Sequence, residues 1–196
     1  MAGKHFILAS GSPRRRELLA MLDIDFSVDT SRSVDEIVPP EIAVDETPAY
    51  LSRLKAQPYL PHLKEDEVLI TADTVVILDN KVIGKPKDAT DAQRTLRQLA
   101  SRTHKVITGV SIGRPDGTLT TFSDVTEVDF DTLSDAEINY YVSKYSPLDK
   151  AGAYGIQEWI GAAAVKGIRG SFYNVMGLPI HRLFMALKAE GLLSVE

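Results

Sequence analysis

The chain has 196 residues, 44% of them hydrophobic, and a formal net charge of −5. This is enough apolar material for one sizeable core, while the acidic balance argues against a general nucleic-acid binder, which carries a basic excess. The absence of cysteine excludes a disulfide framework and a thiolate metal site, and the apolar run near the start is too short for a signal peptide or a membrane span, so a soluble, cytoplasmic protein is expected.

Strand and helix signals alternate along the chain. His5 to Ala9 reads as an apolar strand, followed by a short polar loop and a helix carrying Leu18, Leu19 and Leu22. Ser12 suits the N-cap of that helix and Pro13 its first position. Arg14, Arg15 and Arg16 then fall in the first turn, next to the positive end of the helix dipole. That placement is unfavourable for cations unless an anion sits there. "FSVDTS" is a short strand candidate, and the acidic "SVDEIVPPEIAVDE" reads as a loop. Thr47-Pro48 repeats the cap-and-proline signal and predicts a helix to about Ala56, stopped at Pro58.

"EVLITADTVVILD" is the strongest strand, and "DNKVIG" reads as a turn into a partner strand. Thr90 to Ala100 is a predicted helix with Ala92, Leu96 and Leu99 on its inner face. "HKVITGVSIGR" and "TLTTFSDVTEVDF" are strands about a "PDG" turn, the second as one strand or two. Ser134 and Glu137 form a capping box that opens a helix to about Lys144. Residues 149–177 hold six of the 13 glycines and read as a loop-rich segment, before a helix from Pro179 to Gly191. There is no internal repeat and no clean linker. A single domain over 1–196 is expected, of mixed α/β class, with two lobes around a cleft.

Several residues have chemistry-bearing character. Asp73 sits among apolar and β-branched neighbours, where an unpartnered carboxylate is expensive. It therefore serves a cation, a metal or a reaction, or else it caps a turn at a strand end. Lys55, and Lys85 in "GKP", are either phosphate contacts or solvated lysines. Asp35 and Glu36 are either ligands for a hard cation or part of a charged surface loop. Gln157, closing "DKAGAYGIQ", either reads a base edge or is a turn residue satisfied locally. His5, His62, His104 and His181 lie too far apart for zinc spacing, and no P-loop, dinucleotide fingerprint or nucleophile elbow is present. Trp159 and the Tyr140-Tyr141 pair read as packing residues.

Taken together, "LASGSPRRRELL", "TADTVV", "GKP", "HKVITGV", "LDKAGAYGIQ" and "NVMGLP" resemble the Maf family, from Ile7 to about Leu183 and in family order. The resemblance implies an elongated, mixed-sheet α/β fold akin to inosine triphosphate pyrophosphatases, with two lobes around a nucleotide-binding cleft. It implies hydrolysis of a nucleoside triphosphate between its α- and β-phosphates, supported by Mg²⁺ or Mn²⁺. Asp73 matches the family's proton acceptor. Ser10, Arg14 and Arg15 match its phosphate-binding loop, and Lys55 and Lys85 its lysines over the triphosphate. Asp73 and Glu36 are the expected metal ligands. Arg14, Thr74 and Gln157 follow the pattern of the branch acting on dTTP and UTP, including modified pyrimidine nucleotides, rather than that acting on 7-methyl-GTP. Tyr50 stands where the family's second-helix motif has arginine. Successive helical residues diverge by about 100°, so Arg14 and Arg15 are expected to face the ligand and Arg16 the solvent. The family's habit implies a homodimer, while the acidic balance and the short apolar run leave no nucleic-acid or membrane partner expected. A non-catalytic nucleotide-binding regulator of cell division is the alternative reading.

Overall fold

The structure is a computed structural model and describes residues 4–193. Its strands are β1 (His5–Leu8), β2 (Phe26–Val28), β3 (Glu67–Leu78), β4 (Lys81–Ile83), β5 (Thr103–Gly113), β6 (Leu119–Phe130) and β7 (Val165–Arg169). Its helices are α1 (Pro13–Ala20), α2 (Thr47–Ala56), α3 (Ala89–Leu99), α4 (Asp135–Tyr145), α5 (Trp159–Ala164), α6 (Phe172–Met176) and α7 (Ile180–Ala189). The strands form one seven-stranded mixed sheet in the order β2-β1-β3-β5-β6-β7, with β4 pairing β3. β1 runs parallel to both β2 and β3, pairing His5 with Glu67 and Leu8 with Ile70. β4 and β7 run antiparallel to β3 and β6. No helix among the described residues is long and apolar enough to cross a membrane.

The chain divides into two compact units. The first takes in residues up to Asp73, then Thr108–Asp124 and the chain from Gly177 onward. Here α1 begins as its sequence requires: the Ser12 side chain accepts from the Arg15 N–H, Pro13 occupies the first turn, and Leu18 and Leu19 are buried. Ile7, Ala56, Tyr59 and Leu69 form a buried cluster that joins α2 to the strands. The start of α2 lies directly on β5: a Cβ at Gly109 would come within 2.3 Å of the Pro48 carbonyl and the Ala49 nitrogen. Only glycine permits that approach.

A buried polar network fixes α2 further. The Thr71 hydroxyl donates to the Ser52 carbonyl at 2.7 Å, and the Ser52 hydroxyl lies 2.8 Å from that of Ser111. Ser111 is in turn 2.8 Å from Thr121 Oγ1.

The second unit comprises Thr74–Ile107 and Val125–Met176. The inner face of α3, Ala92, Leu96 and Leu99, is wholly buried with Val128, Phe130, Ile138 and Tyr141. Asp79 and Asn80 take positive φ of 50° and 58° in the β3–β4 turn, the conformation of a tight hairpin. The Ser134–Glu137 capping box is present in full.

Three expectations change. Thr47 is not an N-cap: a 3₁₀ turn over Val44–Glu46 already leads into α2, so Thr47 has helical φ/ψ and its hydroxyl donates to the Ala43 carbonyl at 3.4 Å. Residues 149–177 are richer in regular structure than their glycines imply, holding α5, β7 and α6. Tyr141 is a packing residue as expected, but Tyr140 is 45% exposed, with its ring edge-to-face with Trp159.

Candidate active site

In the first unit, a cavity of about 230 Å³ opens just past the end of β1 and beside the middle of β3 at Ala72, and Ser10, Arg15, Arg32, Glu36, Lys55 and Tyr59 are among the residues lining it. The loop leaving β1 supplies Ser10, the first turn of α1 supplies Arg15, and the last turn of α2 supplies Lys55.

Asp73 lies in mid-strand, within a β3 that runs from Glu67 to Leu78, so it does not cap a turn at a strand end. Its carboxylate has the partner that burial demands. Lys55 Nζ stands 2.6 Å from Asp73 Oδ1 and 3.0 Å from Glu36 Oε2. The Asp73 side chain is 13% exposed and that of Glu36 51%, so one carboxylate is interior and the other stands at the rim. Removing either member of a pair this sheltered would leave the other's side chain buried without its counter-ion.

Arg15 is held as firmly. Its Nε donates to the Gly177 carbonyl at 2.8 Å, and its Nη1 to the Ala72 carbonyl at 2.7 Å and to Ser10 Oγ at 3.4 Å. Burial pulls the guanidinium below its ordinary pKa. Asp73 opposes that, Arg14 adds to it and Glu36 opposes it less. Arg14 is partly buried and Arg16 exposed.

Ser10, Arg15, Glu36, Lys55 and Asp73 thus come together within one unit. Glu36 and Asp73 converge on a single cation position, an all-oxygen donor pair. No group of three or more His, Asp or Glu is gathered as a metal-ligand set among the described residues. Asp35 is exposed.

Lys85, Thr74 and Gln157 belong to the second unit. Lys85 is exposed, and the turn that carries it is tied at Gly84, whose carbonyl accepts from the Gly152 N–H at 3.1 Å. Gln157 is exposed on a turn fixed from within. The Tyr141 hydroxyl accepts from the Gly155 N–H at 3.0 Å and donates to Glu158. Lys150 pairs with Glu158 at 3.2 Å and with Asp149 at 2.8 Å. Burial and the bond to Glu158 push the Tyr141 hydroxyl pKa up, keeping it a donor.

Two lining residues, Arg32 and Tyr59, carry no signal in the sequence. Arg32 sits in a polar loop without periodicity, and Tyr59 lies between prolines beyond the helix stop.

The sequence model of the family described as Maf-like protein matches residues 5–190. A protein of Bacteroides thetaiotaomicron named dTTP/UTP pyrophosphatase is 51% identical over 182 residues, covering 93% of this chain and 94% of that protein. Proteins of the same name from Porphyromonas gingivalis and Flavobacterium johnsoniae are 49% and 47% identical, the alignments covering 94% and 91% of both chains. Among solved structures, the Staphylococcus aureus Ham1 protein superimposes with a TM-score of 0.57 at 16% identity, over 95% of this chain and 100% of that one. That likeness is one of fold.

Proposed function

The chain belongs to the Maf-like protein family, and from that premise we propose that it hydrolyses dTTP and UTP to the monophosphate and pyrophosphate, as the names of its relatives state for them. The observation that carries the reading is the meeting of Asp73, Lys55 and Glu36 beside a fixed Arg15 at one cavity.

The chemistry follows from those groups. Water attacks the α-phosphorus, the new O–P bond forms, and the bond to the α,β-bridging oxygen breaks with its electron pair on the departing pyrophosphate. Asp73 takes the proton from the attacking water. Lys55 bridges Asp73 and Glu36 in the resting protein, and an arriving triphosphate offers its ammonium a further anion. Arg15 cannot swing away, because two carbonyls hold it, so its positive charge is in place before the substrate arrives. Ser10 adds a hydroxyl donor from the same loop.

Asp73 and Glu36 fit a divalent ion of the Mg²⁺ or Mn²⁺ type: two carboxylates aimed at one cation position are what such a site uses when waters and substrate phosphates complete the shell. Bound there, the ion neutralises phosphate charge and lowers the pKa of coordinated water. Arg14, Thr74 and Gln157 are assigned to selecting the pyrimidine, and Lys85 to the triphosphate. A cytoplasmic setting and a homodimer complete the proposal, the latter to be checked by light scattering.

The decisive test incubates the purified protein with each common NTP and dNTP, with Mg²⁺ and with EDTA. UMP or dTMP plus pyrophosphate, lost in EDTA and in Asp73→Asn, is the expected result. Release of orthophosphate instead moves the cut to the γ-phosphate and overturns the mechanism. Binding without turnover favours a nucleotide-binding regulator.

A further inference from the structure

Three cations line the cavity of the first unit, and two of them are already engaged. Arg15 donates to the Ala72 and Gly177 carbonyls and to Ser10. Lys55 stands between two carboxylates. Arg32 is different: among the described residues of this lining it is the cation whose side chain has neither a hydrogen bond nor an ion pair. The nearby Asp29 carboxylate accepts from the Ser31 N–H at 2.8 Å and adds only a weak Coulomb contact.

The backbone of Arg32 is nevertheless pinned. Its N–H donates to the Tyr59 hydroxyl at 3.3 Å, and that hydroxyl lies 3.1 Å from the carbonyls of both Asp29 and Arg32, donating to one at a time. The Tyr59 ring is 5% exposed, packed with Ile7, Ala56 and Leu69. A core residue therefore reaches out through its one polar atom to hold this loop. The loop in turn holds up an unpaired guanidinium at the cavity wall. Ordering the backbone in advance removes part of the entropy cost of binding at that point.

We propose that Arg32 is a phosphate-binding residue of this cavity that takes the terminal phosphates of the nucleoside triphosphate, with Tyr59 as its positioning residue. The inference rests on the pyrophosphatase reading above. The reacting α-phosphate belongs beside Asp73, and the charge still to be met lies on the phosphates that leave. A guanidinium fork matches phosphate oxygens, whereas a pyrimidine ring offers it no anionic acceptor. The carboxylate of Glu36 in the same lining repels those phosphates unless a cation accompanies them, which makes an uncommitted arginine more useful there.

The test measures the affinities of pyrophosphate and of UMP separately, by calorimetry with Mg²⁺, for the wild-type chain and for Arg32→Ala, Arg32→Lys and Tyr59→Phe. Wild-type turnover of UTP is measured beside them. Losing a charge-assisted contact is expected to weaken pyrophosphate binding about tenfold or more in Arg32→Ala. UMP binding and the thermal midpoint should stay unchanged. Arg32→Lys should recover part of the loss, and Tyr59→Phe should show a smaller loss in the same direction. Unchanged pyrophosphate binding in Arg32→Ala overturns the assignment, and so does an equal loss for pyrophosphate and UMP, which marks a general loop effect. A wild-type chain that yields no pyrophosphate from UTP brings down the underlying reading instead, and that arm is scored independently of the variants.

Discussion

Arg15 explains why positive charge stands at the wrong end of a helix dipole. Its guanidinium is a bridge before it is a ligand, joining the carbonyl of Ala72, one residue before Asp73, to that of Gly177. Removing it leaves two buried carbonyls without their donor. Arg15→Ala should lower unfolding stability by about 2–3 kcal/mol, together with a large loss of kcat/KM, whereas the exposed Arg16→Ala should change neither. Chemical denaturation and steady-state kinetics on the two variants check this, and a fully active Arg15→Ala would remove Arg15 from the site. Lys55 poses the complementary case. Lys55→Met leaves Asp73 and Glu36 facing each other with no ammonium between them. A fall in kcat of about 10²-fold is expected, as steady-state kinetics with saturating UTP would show. A kcat unmoved from wild type would mean that the Lys55 ammonium is not part of the reacting site.

At the scale of elements, the site depends on how α2 is laid against β3 and β5. The Thr71 hydroxyl, two residues before Asp73, donates to a carbonyl one turn before Lys55, so one hydrogen bond couples the two members of the ion pair. Thr71→Val keeps the shape and removes the donor. It should cost about 1 kcal/mol of stability but about tenfold in kcat, since small displacements between reacting groups are expensive. Equal kcat with the same loss of stability would show that the tether supports the fold only. The same elements mark what the sequence could and could not tell. Ser12-Pro13, the Ser134–Glu137 box and Asp79-Asn80 act through their own backbone neighbours, so their structural roles can be read locally. Thr47 misled because a 3₁₀ turn lies upstream, with no signal of its own in "IAVDE". The helices α5 and α6, of six and five residues, are too short to show a period. Asp73, Ser10 and Arg15 are nameable from ordered motifs, and the family resemblance puts them at one site with Lys55 and Glu36, but the ion pairs that join Lys55 to Asp73 and Glu36 are not legible there. Glu36 rides on an irregular loop, part of whose path is held by the hydroxyl of Tyr59, more than twenty residues away in the chain.

For the molecule as a whole, acidity should loosen the second unit first. His104 is 2% exposed, its Nε2 2.7 Å from the Tyr154 hydroxyl and its ring edge-on to Phe130 at 5.0 Å, while its Nδ1 has no hydrogen-bond partner. Burial pushes its pKa down to about 4, with Asp129 opposing only weakly. Because the unfolded chain binds a proton near pH 6.5 and the folded one near 4, the unfolded state holds more protons throughout that window. Stability is therefore full above the unfolded value and falls as pH drops from about 6.5 toward 4. Two and a half pH units correspond to about 3 kcal/mol, a large share of a typical domain's stability. The carboxylates held low by hydrogen bonds, the exposed Asp79 and Glu137 and the partly buried Asp129 among them, lose their contributions mainly at the foot of that window and below it. The two effects therefore separate on the pH axis. The single tryptophan, Trp159, lies in the same unit as His104, so urea unfolding followed by its fluorescence reads the transition directly. His104→Gln can keep a hydrogen bond to Tyr154 without a titrating ring. It should flatten the slope of stability against pH between 6.5 and 4 and leave the steeper loss below 4 in place. An unchanged slope in that variant would assign the acid sensitivity to the carboxylates and not to the buried imidazole.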